Sequence, residues 1–488
     1  MRNHSAGTAV PGGAVYKDVV VVGNGPAGVM LSYMLAGHAP YYTGQPHPAD
    51  EMLTARLRAT PRERSLLEQD LHFLSQGLEG RSRSPVSLLA DMLAHPCADL
   101  GLDHPSLLEW RAEPRMRADH VVLGKGPPGG VWQTMDGNVL TISLGSWMEL
   151  PDLPFRRWEA GQAGCGQPPR DSRVPARLVA RYYADYVRAK RLARYFRDGA
   201  VVTAVTPLEA PLDTTSCCCS GRERRARWKV EGHDAASGQA FSYVCRAVVL
   251  ATGGHDLPNR LRAPGELENP WVLHDVSRLE RALDAVAAEH GVARDGTARE
   301  ASCDPVVIVG AGLSAADAVM AARFRGLPVV HVFRGTAPQF SGRQLPVDMY
   351  PEYHKVHQMM TDRGRSYPLY TALPEHQVLE IAGDRKVLLQ GPDGKTSACR
   401  ASVVAVLIGS RPDLGFLPPG LALAVDPSRP LDCHHNPAQV DPFSYAAVRA
   451  PPGLYVLGPL AGDNFVRFIL GGAIAAAGDI LRDCAAPL

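Results

Sequence analysis

The chain has 488 residues, 45% hydrophobic and 21% charged, enough apolar material for a large buried core. Lys plus Arg (51) nearly cancels Asp plus Glu (50), leaving a formal +1 and no excess charge with which to hold nucleic acid or an anionic membrane. Its 10 Cys, with no C-x-x-C pair, argue against a disulfide scaffold, a zinc site or a dithiol redox centre, and suit a reduced, cytoplasmic setting.

The first residues lack the apolar stretch of a signal peptide, and 1–15 are expected to be disordered. No apolar run reaches transmembrane length. The run KDVVVV then enters Gly23-Asn24-Gly25-Pro26-Ala27-Gly28 and a small-residue helix. This is the order a dinucleotide-binding βαβ unit needs: Gly23 for the tight turn, Gly25 for backbone approach to a pyrophosphate, and Gly28 for close helix–sheet packing. The acidic residue that should follow ~20 positions on, to hold the ribose hydroxyls, has no obvious place. Asp50 and Glu51 serve only if the second strand is displaced, and read otherwise as surface charge.

Further along, RAVVLATGG (Arg246–Gly254) and SVVAVLIGS (Ser402–Ser410) read as strands ending in glycine. Asp213–Arg227, which carries Cys217, Cys218 and Cys219, reads as an exposed hairpin loop or insertion. A Leu/Ala/Val periodicity over 272–302 predicts one helix. The glycine pattern then returns as DPVVIVGAGLSAAD, with Gly310, Gly312 and Ser314, and alanine at the third small position. The next strand, Val329–Phe333, ends in Arg334, where NAD-specific proteins keep an acid; a guanidinium there can grip the 2′-phosphate of NADPH, with Arg323, Arg325 and Arg343 as candidate helpers, the alternative being a solvated charge at a loop end. YPEYHKVHQMM (Tyr350–Met360) reads as a helix with Tyr, Val and Met facing the core, not as a zinc site. Gly453–Leu481 reads as a strand, a loop and a closing helix. Two nucleotide sites in one chain suggest electron transfer from a nicotinamide to a flavin.

GNGPAG, GGVW (Gly129–Trp132), LATG (Leu250–Gly253), APGELEN, GAGLSAAD and GPLAGDN (Gly458–Asn464) occur in the order used by the two-dinucleotide-binding-domain flavoproteins, and the chain resembles their flavin-containing monooxygenase and N-hydroxylase branch. VVGNGPAGVMLSYML, LEGRSRSPVSLL, YPEYHKVHQMM and GPLAGDNFVRF look like the oxidative stress-induced growth inhibitor family of animal proteins. The resemblance implies an α/β fold of two Rossmann-type domains, with FAD and NADPH as cofactors. The expected layout is an FAD domain over 16–260 and 410–488, a linker and helix over 261–299, and an inserted NADPH domain over 300–409.

It implies a monooxygenase that passes one atom of O2, carried on flavin C4a, to an unidentified soft nucleophile. It also implies roles in growth restraint, cell death and cytokinesis, with cytokinetic protein partners at the midbody. By motif, Gly129, Gly130 and Trp132 would line the path from adenosine to flavin, and Gly253 would close the LATG turn. Asp463 would accept hydrogen bonds from ribityl or pyrophosphate-linked hydroxyls, and Asn464, Gly471 and Gly472 would set a helix N-terminus at the flavin. Two features depart from the pattern. The segment Leu140–Pro151 holds none of the Asn that flavin-containing monooxygenases keep there, leaving Thr141, Ser143 or Asn138 as alternative donors. The F-x-G-x-x-x-H fingerprint survives only as His274.

Overall fold

In the computed structural model, which describes residues 13–163, 171–214, 224–289, 303–336 and 345–485, the chain divides into two compact units. One comprises 1–254 with 412–488, the other 255–411. Length alone suggests about three domains; the discontinuous unit absorbs the difference. The stretch 261–299, expected as a linker and helix, falls within the second unit. Its helix, Val276–Glu289, buries Leu279 and Leu283 in that unit's core, which is why the segment does not behave as a linker.

The first unit is built on Val15–Val22, a strand whose four consecutive valines have a simple cause. Val19 and Val21 enter one core, Val20 and Val22 another, because both faces of the sheet are covered. It pairs in parallel with His120–Gly124 on one side and Ala240–Leu250 on the other. Phe196–Asp198 extends the first edge and Leu454–Val456 joins Ala240–Leu250, all parallel. Ala200–Thr214 and Arg224–Asp234 add an antiparallel hairpin; its tip, with the three adjacent cysteines, lies outside the described residues. So do residues 1–12 of the segment expected to be disordered, while Val15 already belongs to the first strand.

The second strand of the βαβ unit is displaced much further than the sequence suggests. After the first helix, Pro26–Leu35, the chain forms Ala36–Tyr42, which pairs antiparallel with Leu108–Arg117 in a separate ribbon. Only then does it enter the sheet as His120–Gly124. Asp50 therefore caps a helix, its side chain accepting from the Leu53 amide, and Glu51 sits in that helix's first turn. Neither stands at the end of the strand that pairs with the first, where a ribose acid is expected; Glu51 is exposed and Asp50 is a half-buried cap.

The second unit carries a five-stranded parallel sheet in the order Val272–Leu273, Val403–Val406, Val306–Val309, Val329–Phe333, Tyr370–Pro374. Val306 and Ile308 face one core, Val307 and Val309 the other. A three-stranded antiparallel meander spans Gln377–Arg400. The helix Pro351–Thr361 buries Val356, Met359 and Met360, as its periodicity predicts. Among the described residues no helix is long and apolar enough to cross a membrane.

Candidate nucleotide-binding sites

The two glycine turns are built alike, each within its own unit. Gly23 has φ +111° and donates to Leu123 O; a Cβ there would lie 2.2 Å from Ala251 O. Gly310 has φ +135° and donates to Val332 O; its Cβ would lie 2.2 Å from Leu407 O. Only glycine combines that backbone with that approach to the neighbouring strand. Gly28 is required for packing, since its Cβ would meet Gly23 O at 2.1 Å. In the second turn buried Ala315 takes this role.

Gly25 and Gly312 differ from these. Both have ordinary negative φ (−71° and −86°). A Cβ on Gly25 meets nothing closer than Gly130 Cα at 3.9 Å, and one on Gly312 meets nothing within 4 Å. Among the described residues nothing in the packing requires glycine at either position. Both are N-caps whose helices receive no side-chain cap, whereas Asp50, Asp70 and Ser84 cap theirs. The first-turn amides and the positive end of each helix dipole are left to an anion.

In the first unit more of the expected residues converge. Gly129 N donates to Asn24 O at 2.9 Å, and a Cβ on Gly130 would lie 2.9 Å from Gly25 Cα, so the GGVW turn lies against the glycine turn. Trp132 follows, half-buried and edge-on to Tyr183. Gly253 closes the LATG turn beside Thr252, whose buried hydroxyl has no hydrogen-bond partner among the described residues. An orphaned donor beside an open glycine face fits a phosphate or ribose hydroxyl. Gly458 brings the closing motif against Ala27.

Asp463 is buried, and burial lifts its carboxyl to about 7, against the hydroxyls of Tyr445 (2.8 Å) and Ser87 (3.1 Å) that donate to it. Each oxygen keeps lone-pair capacity for a further hydroxyl. Asn464 donates to Cys433 O. Gly471 and Gly472 serve packing: their Cβ atoms would strike the Val86–Ser87 backbone and the Tyr445 ring. Sequence reading missed Ser87, Tyr445 and the buried ion pair at the start of the closing helix, Val466–Ala485. There Arg467 donates to both oxygens of Asp91 (2.8 and 2.6 Å) and to Asp99 (2.8 Å), with Trp147 stacked on the guanidinium.

Of the alternative donors, Thr141 has its hydroxyl proton committed within its own segment. Thr141 Oγ1 donates to Ser143 O and accepts from Val174 N; Ser143 is buried; exposed Asn138 accepts from Arg177. No hydrogen bond among the described residues joins the three to the glycine turns. His274 sits 3.0 Å from Glu266, itself buried and accepting from the Leu261 and Arg262 amides, which makes a loop clasp.

In the second unit Ser314 is exposed in the first helical turn, and exposed Arg334 follows Val332, the acceptor for Gly310 N. Arg334 makes no ion pair among the described residues. Arg323 and Arg325 lie at the far end of helix Leu313–Phe324, ~18 Å from Gly312 at 1.5 Å per residue. Arg325 pairs there with Glu280 and Asp284, so neither assists Arg334; Arg343 lies outside the described residues.

A residue with no sequence signal supports this turn. Buried His331 reaches Gly310 O (2.6 Å) and the Tyr370 hydroxyl (2.9 Å). A carbonyl only accepts, so Nε2 carries the proton and Nδ1 accepts from Tyr370. Burial holds His331 down at about 4, against an ordinary 6.5. Between those values the unfolded chain binds a proton that the folded chain does not. The resulting stability is complete above 6.5 and is lost as pH falls toward 4, by ~2 kcal/mol between pH 7 and pH 5. Urea unfolding at both pH values should show a His331→Phe chain weaker at pH 7 yet losing ~2 kcal/mol less than wild type on acidification.

The fold and its paired glycine turns define an α/β architecture of two Rossmann-type units. It is similar to the bacillithiol disulfide reductase Bdr of Bacillus cereus (TM-score 0.58, 15% identity, 96% of this chain and 99% of that one). It is also similar to the ornithine hydroxylase PvdA of Pseudomonas aeruginosa (TM-score 0.53, 14% identity, 96% and 99%). No protein-family model matches the chain. The chain belongs to the oxidative stress-induced growth inhibitor family: it is 45% identical over 480 residues to human oxidative stress-induced growth inhibitor 1, covering 95% of each chain.

Proposed function

We infer that the chain is an FAD-containing, NADPH-dependent monooxygenase. The observation that carries this reading is the pair of open faces at Gly25 and Gly312, glycines that the fold itself does not need. FAD is assigned to the first unit, held by the Gly25 turn, Gly129, Gly130 and Thr252, with Asp463 and Asn464 ahead of the closing helix. NADPH is assigned to the second, held by Gly312, Ser314 and Arg334, the guanidinium binding the 2′-phosphate. When bound, the flavin supplies the two-electron chemistry and the transfer of one oxygen atom from O2 to a soft nucleophile, the other leaving as water. The protein's part is to orient the nucleotides and exclude solvent. Growth restraint and cytokinesis, with their partners and a midbody location, belong to the same proposal.

A second reading, an oxidase that releases hydrogen peroxide, is favoured by one observation: Thr141 and Asn138 are already bonded within their own neighbourhood. One experiment tests both. The purified protein should be yellow, bleach with NADPH faster than with NADH, and reoxidise in air. Peroxide well below one equivalent per NADPH, once a nucleophilic substrate is supplied, supports oxygen transfer. One equivalent for every substrate tried assigns the oxidase, and a chain that takes up no flavin removes both.

A further inference from the structure

In a dinucleotide-binding βαβ unit the strand after the first helix ends in an acid that holds the ribose and repels a 2′-phosphate. Here that strand is His120–Gly124, aligned with the first strand through Val22 opposite Leu123. The acid's place falls on Gly124 and Lys125. A side chain cannot start at Gly124 without displacing Asn24, whose amide would lie 2.0 Å from the Cβ. That amide is buried and donates to Gly126 O at 2.7 Å. Lys125 comes next, its side chain largely exposed (62%).

Two carboxylates are among its described neighbours. Asp413 stands 4.0 Å from the Lys125 ammonium, at the limit of an ion pair, and so exposed a side chain can exchange one anionic partner for another. Asp198 ends the adjoining strand opposite Gly124; burial raises its carboxyl, and it shares the Asn24 amide.

We propose that the first nucleotide site reads the adenosine ribose with a cation, Lys125, in place of a carboxylate, and therefore accepts adenosine nucleotides phosphorylated at the 2′-hydroxyl in competition with FAD. This rests on the assignment of FAD to the first unit. Its consequence is a flavin held less firmly than a ribose acid allows, and displaced by the nucleotide class that serves as reductant.

The test is FAD binding to flavin-stripped full-length protein, followed by quenching of FAD fluorescence. It is run with adenosine 2′,5′-bisphosphate or ADP as competitor, on an Arg334→Ser background that weakens the second site. The bisphosphate should compete ~10-fold better than ADP, the effect of one charge-assisted phosphate contact. Lys125→Glu should erase that advantage and tighten FAD, and Lys125→Gln should erase it without tightening. Equal competition by the two nucleotides, or an advantage that survives both substitutions, overturns the proposal. If FAD itself does not bind, the FAD assignment falls instead. Calorimetric titration with the two competitors then decides the Lys125 preference on its own: a bisphosphate preference lost in Lys125→Glu supports it, and its absence overturns it.

Discussion

Gly25→Leu and Gly312→Leu should each give a chain that folds with near-wild-type stability yet loses one nucleotide. The argument turns on what each glycine is for. At Gly23 and Gly310 a side chain collides with a neighbouring carbonyl and the backbone is left-handed, so substitution there damages the fold and says little about ligands. At Gly25 and Gly312 the backbone suits any residue and the Cβ points into open space. Leucine there costs the fold little and fills the volume a pyrophosphate would take. The expected loss is at least ~100-fold in affinity, about 2.7 kcal/mol: for FAD in Gly25→Leu, and for NADPH, with flavin binding retained, in Gly312→Leu. Thermal unfolding and nucleotide titration together check it. Unchanged affinity in either variant would remove the corresponding site.

Arg467→Met should destabilise the first unit by ~3–5 kcal/mol, because it strands a buried carboxylate. Burial already holds Asp91 above the usual carboxylate range, and Arg467 is the chief influence pulling it back. Without the guanidinium, Asp91 must take up a proton or stay charged with only the weaker influence of Arg81 in its favour. Trp147 also loses the cation over its ring. The paired change Arg467→Met with Asp91→Leu should recover most of the loss, since well-packed apolar groups often replace a buried ion pair at little cost. Chemical unfolding of the two single variants and the double variant measures the coupling; additive losses would show that the pair does not act as a unit.

Local signals in the sequence carried much of the architecture. Four valines before a glycine turn, and VVIVG before another, marked the central parallel strands of both sheets, because strands covered on both faces are apolar at every position. The helix Pro351–Thr361 followed from its spacing. The second strand did not, because the usual ~20-residue interval assumes a short crossover, and here the ribbon Ala36–Tyr42 with Leu108–Arg117 intervenes. His331 was hidden inside a run that reads as plain strand. Ser87, Asp91, Tyr445 and Arg467 find partners by tertiary folding alone: Ser87 with Asp463, and Arg467 with Asp91, are each 376 positions apart, and no periodicity encodes that.

That separation bears on synthesis. The excursion leaves the first helix at Leu35 and returns at Ala118, whose amide donates to Leu35 O, yet Ser87 and Asp91 within it await the closing helix. At ~5–20 residues per second a ribosome needs ~20–75 s to deliver that helix. Through this interval the nascent chain carries a carboxylate destined for burial without the guanidinium that meets it in the folded chain. A premature stop before Val466 would make the condition permanent, leaving a product for quality-control proteases to clear.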